Sequence, residues 1–210
     1  MLKTTFTITA LAMSAGVYAQ HKDAAIGLRY PTQKGSILAG SDVLVSSIGF
    51  GSGGKDQSIF YNGGLSPNAS YMITDNWAVG VTIQGNAAGN PGYRSHSFGA
   101  GVFTRYYFGK AVHKDGSMHR ARFFAEVGVN YGTGTASFRD ASLDWDRYKF
   151  NFLTAKAAIG ANYFINKKVG IEYGMYYSTT EYRNYGGPIL TNRNLFGARF
   201  GVQFHLGSKR

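Results

Sequence analysis

The stretch Phe196-Gly-Ala-Arg-Phe-Gly-Val-Gln-Phe-His-Leu206, close to the carboxyl end of the chain, decides the fold. Every second residue of this stretch is apolar, and the residues between them are Gly, Arg, Gly, Gln and His. Successive side chains of a β-strand point to opposite faces, so the segment forms a strand with one apolar face and one mixed polar face. Segments with the same alternation recur along the chain, and they predict an all-β protein.

The composition agrees with a chain of strands and turns. The 210 residues suffice for one domain, 15% of them are aromatic and 16% charged, and Gly numbers 29. Few charges argue against disorder, and many Gly residues between short alternating runs indicate turns. Cys is absent, which excludes a disulfide framework and thiolate chemistry.

The formal net charge is +11. A basic balance suggests nucleic acid, an acidic membrane surface or an anionic glycolipid as partner. Lys and Arg are scattered, however, without a basic helix, a zinc pattern or an RNA-binding strand motif, so nucleic acid is not expected as a partner. Basic loops beside an anionic leaflet fit the pattern better.

The amino terminus has the pattern of a secretory signal. Residues 1–19 combine Lys3, a short apolar region from Phe6 to Met13, and Val-Tyr-Ala before Gln20. The alternatives are an amphipathic strand or a membrane anchor, although the run is too short and too rich in Thr for a spanning helix. We predict a signal peptide at 1–19, a periplasmic lead-in at 20–34 and a β-barrel domain at 35–210.

The alternating segments predict eight antiparallel strands. Strand one lies within 36–51, with Leu44, Ser46, Ile48 and Phe50 on its apolar face, and Asp42 implies a bulge or a later start. The other strands lie near 58–73, 77–84, 98–108, 123–131, 153–163, 169–177 and 196–206. Short turns follow strands two and six, and long polar loops at 85–95, 133–149 and 180–194 follow strands three, five and seven. An apolar outer side and a polar inner side predict a closed up-and-down transmembrane barrel, because lipid does not tolerate open strand edges.

Two segments carry a resemblance to a known family. Pro67-Asn-Ala-Ser-Tyr-Met-Ile-Thr-Asp-Asn-Trp-Ala-Val-Gly-Val81 and Thr104-Arg-Tyr-Tyr-Phe108 resemble a hairpin and a strand end of small bacterial outer-membrane barrels, the OmpA/OmpX-like superfamily. The resemblance implies a monomeric barrel in the Gram-negative outer membrane, with membrane lipid, lipopolysaccharide and the barrel assembly machinery as partners and no cofactor. The family usually ends on an aromatic residue, whereas Gly207-Ser-Lys-Arg210 ends this chain, so Phe204 is the expected bearer of the assembly signal.

The inner faces of strands four to eight each carry one charge, and the sign alternates from strand to strand. These residues are Arg105, Glu126, Lys156, Glu172 and Arg199. Charges shielded from water need partners, and the interior of an eight-stranded barrel is about filled by its own side chains. We therefore predict a network of ion pairs that plugs the lumen. The alternative is a charged path for ions.

Aromatic residues beside charges in two of the predicted loops are candidates for surface contact. They are Trp145 and Tyr148 in the loop after strand five, and Tyr182 and Tyr185 in the loop after strand seven. Exposed aromatic side chains flanked by charges can act as contact anchors. The ligand of these loops is unknown, and the alternative for each is a solvated hairpin tip.

Catalysis has little support in the sequence. His96, between Ser95 and Ser97, is the only enzyme-like candidate, but adjacent strand positions point to opposite faces. His113 and His119 share a basic turn without a third ligand for zinc. No catalytic, cofactor or metal site is expected. The predicted role is envelope integrity and surface interaction through the external loops, with a narrow pore as the alternative and a lipid-modifying enzyme as a weaker one.

Overall fold

The computed structural model describes residues 32–46, 61–90, 92–110, 120–139, 145–184 and 189–206. The predicted signal peptide and most of the predicted lead-in lie outside these ranges, as do Ile48 and Phe50. None of the described segments contains a helix with the length and apolar character that a membrane span requires.

Eight antiparallel strands close into one barrel, in which each strand pairs with its neighbours in sequence and β1 pairs with β8. The strands are β1 (Ile37–Ser46), β2 (Tyr61–Thr74), β3 (Trp77–Asn90), β4 (Tyr93–Tyr107), β5 (Ala121–Arg139), β6 (Trp145–Phe164), β7 (Val169–Asn184) and β8 (Ile189–His205). The predicted all-β, up-and-down barrel is confirmed.

The two ends of the barrel differ, and we call them the lower and the upper rim. The lower rim carries the β2–β3, β4–β5 and β6–β7 connections, the start of β1 and the end of β8. Its first turn has only Asp75 and Asn76 between the strands, and Asn76 has a φ of 77°, a left-handed conformation that Asn tolerates better than most residues. The short turns predicted after strands two and six are confirmed.

The long loops predicted at the upper rim are wrong in large part. The strands continue through these segments, with Asn90 paired to Tyr93 and Arg139 paired to Trp145. Higher on the strands the outer face becomes polar, whereas the inner face carries polar residues such as Ser95 on β4 and aromatic residues such as Phe150 on β6. The alternation with an apolar outer face therefore ends while the backbone ladder continues. Backbone pairing depends on N–H and C=O groups and not on the side-chain pattern.

The outer surface of the lower and middle barrel is an apolar belt. Val102 and Phe98 on β4, Phe123 on β5 and Ile159 on β6 each expose more than half of their side chain. On β8 the belt extends from Leu206 to Phe196, about 33 Å along the strand, and a tilt of about 40° reduces this to the height of about 25 Å that a bilayer core requires. Higher on the same strands the outer face is polar.

Strand β1 has the opposite facing to the one predicted. Val43 and Val45 are exposed on the outer side, whereas Leu44 is 3% exposed and lies inside with Asp42. The strand contains no bulge at Asp42, since its pairing with β8 is continuous from Leu38 to Ser46. The predicted facing is wrong because Asp42 is a regular inward residue that shares its face with Leu44, and not a break in an apolar outer face.

Candidate functional site: the barrel lumen

The lower opening of the lumen is closed by a short segment and one arginine. Residues 32–36 precede β1, and the Arg122 side chain on β5 donates a hydrogen bond to the Thr32 hydroxyl at 2.7 Å. Arg122 also donates to Asn76 Oδ1 at 2.7 Å and to the Gly109 carbonyl at 2.9 Å, which ties β5 to the neighbouring turns. The backbone N–H of Asn76 donates a hydrogen bond to the backbone carbonyl of Thr32 at 2.9 Å. These contacts hold residues 32–36 against strands on opposite sides of the barrel.

An apolar layer lies above this closure. Its buried members are Leu38, Met72, Ala78, Tyr107 and Phe124. The Tyr107 hydroxyl donates to Gln203 Oε1 at 3.3 Å, and Asn162 Nδ2 donates to the same oxygen at 2.7 Å. The layer therefore ends on a polar network on its upper side, where the charges begin.

The predicted charge network is present as one connected cluster. Arg105 reaches Glu126 Oε2 at 2.5 Å and Glu172 Oε2 at 2.6 Å, so it joins two carboxylates. Arg199 contacts Glu126 Oε1 at 2.7 Å and also bonds to the Glu172 carboxylate. The Lys156 ammonium lies 3.3 Å from Glu126 Oε1. We call these residues, together with Asp42, the central charge cluster.

Asp42 is the member that sequence reasoning missed. Its Oδ2 atom lies 3.3 Å from Arg199 Nη2 and accepts a hydrogen bond from Asn68 Nδ2 at 3.2 Å. With Asp42 the cluster contains three cations and three anions, and each of the six residues is 8% exposed or less. The signal was available in the sequence, because an outward Val43 and Val45 place Asp42 inside.

Burying so many charges is tolerable only because every one has an opposite partner. An isolated ion removed from water costs several kcal/mol, and hydrogen-bonded geometry is needed to offset that cost. Arg105 has a further favourable contact, since its guanidinium carbon lies 4.5 Å from the centre of the Phe124 ring. The void bounded by Asp42, Asn68 and Lys156 among others leaves no room for a water-sized sphere. The middle of the lumen is therefore filled.

Inward glycines make room for this filling. Gly201 on β8 lies opposite Asp42 on β1, and a Cβ atom added there would overlap the Asp42 carboxylate. Gly160 on β6 is covered by Phe124, and a Cβ atom there would lie 2.6 Å from the ring. Because large side chains such as Phe124 lie over glycines of the neighbouring strand, the narrow lumen holds more large residues than it otherwise would.

The upper part of the lumen is hollow, with a cavity of about 530 Å³ above the central charge cluster. We call it the upper cavity. Two sides of the barrel contribute different chemistry, since β2, β3 and β4 supply amides and hydroxyls and β5, β6 and β7 supply most of the aromatic rings. The cavity is not predicted from the sequence, because the segments that form the enclosing strand extensions are predicted as loops.

The four predicted contact residues lie in different surroundings in the structure. Tyr148 and Tyr182 belong to strands β6 and β7 and line the upper cavity instead of standing on free loops. Trp145 begins β6, and Tyr185 lies outside the described residues. Their role in ligand contact stays a prediction.

The candidate residues for catalysis do not converge. His96 is exposed on the outer face of β4, while Ser95 and Ser97 point inward and line the upper cavity. Within the described ranges no group of three or more His, Asp or Glu side chains is arranged to hold a metal ion. His113 and His119 lie outside those ranges.

No known protein family and no curated protein matches this chain. Solved structures of similar fold include the N-terminal β-barrel domain of Pseudomonas aeruginosa OprF, at 10% identity and a TM-score of 0.49, covering 82% of this chain and 98% of that one. Neisserial surface protein A has 16% identity and a TM-score of 0.46, with 80% and 95% covered. The Yersinia pestis attachment invasion locus protein Ail has 13% identity and a TM-score of 0.46, with 82% and 99% covered.

These likenesses concern the fold alone. The closed ladder of eight strands confirms the fold that the resemblance to small OmpA/OmpX-like outer-membrane barrels implies.

Proposed function

We propose that this chain is an outer-membrane barrel with a closed lumen, which contributes to envelope integrity and presents its upper end for surface interaction. The observation that carries the proposal is the central charge cluster, in which six buried charged side chains from six strands cross-link the interior. A lumen filled in this way supports a rigid scaffold more than a conduit.

The outer surface supports a location in a bilayer. A belt of exposed apolar side chains surrounds the barrel, and burying it in lipid removes from water a surface that a soluble protein rarely exposes. The short β2–β3 and β6–β7 turns at the lower rim and the longer upper extensions match the usual arrangement of periplasmic and external ends, with the longer β4–β5 connection as the exception. The upper rim therefore faces the outside in this proposal.

Basic residues above the belt support contact with an anionic outer leaflet. Arg94 on β4, Arg147 and Lys149 on β6, and Arg183 on β7 have exposed side chains on the outer face. Lipid-bound phosphate groups at that level would meet this positive surface, and the attraction is expected to weaken with salt. Lipopolysaccharide is the proposed partner of these four basic residues.

Conductance in a planar bilayer tests whether the lumen is closed. The protein is refolded in detergent, its folding is verified by the shift in gel mobility on heating, and it is then inserted into the bilayer. We expect no discrete current steps at moderate voltage and neutral pH. Stable single-channel steps from the folded barrel would replace this proposal with the narrow pore, and Arg105, Glu126 and Lys156 would then line its constriction.

A further inference from the structure

The upper cavity has two facing walls of different chemistry. The polar wall comes from β2, β3 and β4 and contains Asn62, Gln84, Asn86, Ser95 and Ser97. The aromatic wall comes mainly from β5, β6 and β7 and contains Phe138, Tyr148, Phe150, Phe152, Tyr176 and Tyr182. In a ring of eight strands, β2 and β3 lie opposite β6 and β7, so a ligand in the cavity contacts both walls at once.

Part of the aromatic wall is left uncovered by the protein itself. Phe138 is 48% exposed and Tyr148 is 50% exposed, and their ring centres lie 5.9 Å apart in an edge-on arrangement. Deeper in the cavity Phe150 packs edge-on against Tyr182 with ring centres 5.4 Å apart. Phe138 also packs against Tyr93 on β4, with ring centres 5.0 Å apart. The ring surface that stays exposed on Phe138 and Tyr148 is favourable for an apolar face of a ligand.

Side chains of the polar wall are connected to one another by hydrogen bonds. Gln84 Nε2 donates to Asn86 Oδ1 at 3.0 Å, and Asn86 Nδ2 donates to the Ser97 hydroxyl at 3.4 Å. These two hydrogen bonds fix the orientation of the Gln84 and Asn86 side-chain amides. They leave the Gln84 side-chain carbonyl oxygen as an acceptor and the Ser97 hydroxyl as a donor for a ligand. A ligand with several hydroxyl groups matches such a row of alternating donors and acceptors.

The charge of the lining narrows the class of ligand further. Among the described residues that line the upper cavity there is no Asp or Glu, and Arg193 is the one charged side chain. Among these described lining residues a cationic ligand finds no counter-ion, whereas a neutral ligand or one with a single acid group is compatible. The volume of about 530 Å³ lies within the range of small-molecule sites.

We propose that the upper cavity binds a small saccharide, neutral or with one carboxylate. A pyranose ring has an apolar face of C–H groups and a polar edge of hydroxyl groups. The aromatic wall can pack against the apolar face, and the amides and hydroxyls of the polar wall can hydrogen-bond to the polar edge. Arg193, which hydrogen-bonds Tyr182, supplies the positive charge in the lining that the acid group of an acidic sugar would approach. The biological relevance of the site rests on the proposed function, which puts the upper rim outside the cell.

Saturation-transfer NMR on the folded barrel tests the proposal. The protein is held in a phosphocholine detergent, since a maltoside or glucoside detergent would present the same chemistry as the ligand. The probes are N-acetylglucosamine, galactose and galacturonate, with indole as an aromatic comparison. We expect saturation of the ring C–H protons of at least one sugar, and a titration then gives its Kd.

Matched variants locate the binding. Tyr148→Leu and Phe138→Leu remove exposed rings and should weaken the binding of that sugar about tenfold each. Gln84→Leu, in the polar wall, should weaken it by a similar factor. Phe98→Leu makes the same change on the outer face, where the side chain is 62% exposed in the belt, and should leave the Kd unchanged.

Two outcomes would overturn the inference. The first is the absence of saturation for every sugar with a demonstrably folded barrel, whether or not indole is saturated. The second is a sugar signal that survives all three cavity variants. Because binding is measured in detergent, its result is independent of conductance and of orientation in a membrane. Failed binding would leave the closed barrel in place, and current steps in the bilayer would leave a measured sugar affinity in place.

Discussion

The lower and the upper parts of this barrel are built from the same eight strands and differ in almost everything else. Below, the lumen is filled by residues 32–36, an apolar layer and the central charge cluster, and the outer surface is apolar. Above, the lumen holds a cavity of about 530 Å³ and the outer surface is polar. Within one backbone ladder, stability is concentrated in the lower part, which leaves the upper part available for recognition.

The largest expected effect comes from the central charge cluster. Glu126→Gln keeps the shape of the side chain but removes the anion that Arg105, Arg199 and Lys156 share. Losing one partner of a buried ion pair typically costs about 3–5 kcal/mol, so the free energy of unfolding should fall by that amount. Reversible urea unfolding in lipid vesicles, followed by tryptophan fluorescence, measures it.

Glu181→Gln is the matched control from the upper part. Its carboxylate pairs with Arg183 at 3.6 Å, and the two side chains are 40% and 58% exposed. A solvated pair of this kind contributes about 0–1 kcal/mol. Equal losses in the two variants would show that the cluster is not a buried network.

The outer surface provides the second test. Val102 is 63% exposed in the belt, and Val102→Lys should destabilise the barrel by about 2–4 kcal/mol in a bilayer, because lipid solvates an ammonium group poorly. His96→Lys changes an exposed residue six positions higher on β4 and should cost about 0–1 kcal/mol. The same urea titration compares them. If both lysines are tolerated equally, the belt does not face lipid.

A smaller effect is expected from the packing of the lower lumen. Gly201→Ala places a methyl group against the Asp42 carboxylate and should cost about 1–3 kcal/mol. Gly85→Ala is the control, since a Cβ atom there meets nothing within 4 Å. A Gly201→Ala barrel as stable as the Gly85→Ala barrel would mean that Asp42 moves freely.

The smallest effect is expected in the upper cavity. Tyr148→Leu removes half-exposed ring surface and should change the free energy of unfolding by less than about 0.5 kcal/mol, as surface substitutions usually do. The unfolding midpoint in urea should therefore match that of the wild type. A loss as large as that of Glu126→Gln would show that the upper wall is a structural core and not a site that is open to a ligand.

Alternation along a strand made most of the fold predictable. From Leu65 to Leu206 the apolar faces assigned from sequence are the outer faces of β2 to β8, and the five charges predicted inside are inside. The predicted facing of β1 is wrong, because Asp42 interrupts the apolar pattern within its inward row. The predicted loops are wrong at the upper strand ends, because the outer face is polar there and an alternation with an apolar outer face gives no signal.

Pro67 shows how tertiary context overrides a local rule. Proline lacks the backbone donor and usually marks an edge or a bulge. In this barrel β2 is paired on both sides, and its register with β3 is unchanged from Leu65 to Asn68 across the proline. The Pro67 carbonyl accepts a hydrogen bond from the Thr82 hydroxyl at 3.2 Å. The neighbouring ladder bonds are sufficient to hold the strand in register.

The sequence by itself determined which side chains share a face, because the direction of a side chain along a strand is a local property with a period of two. It thereby determined the apolar outer surface, the polar interior and the presence of inward charges. Only the tertiary structure decided which of those charges meet, that Asp42 completes the cluster, and that the upper walls face each other across a cavity. Such distances depend on the register and closure of the strands, which are set by all eight together and cannot be obtained from any one of them.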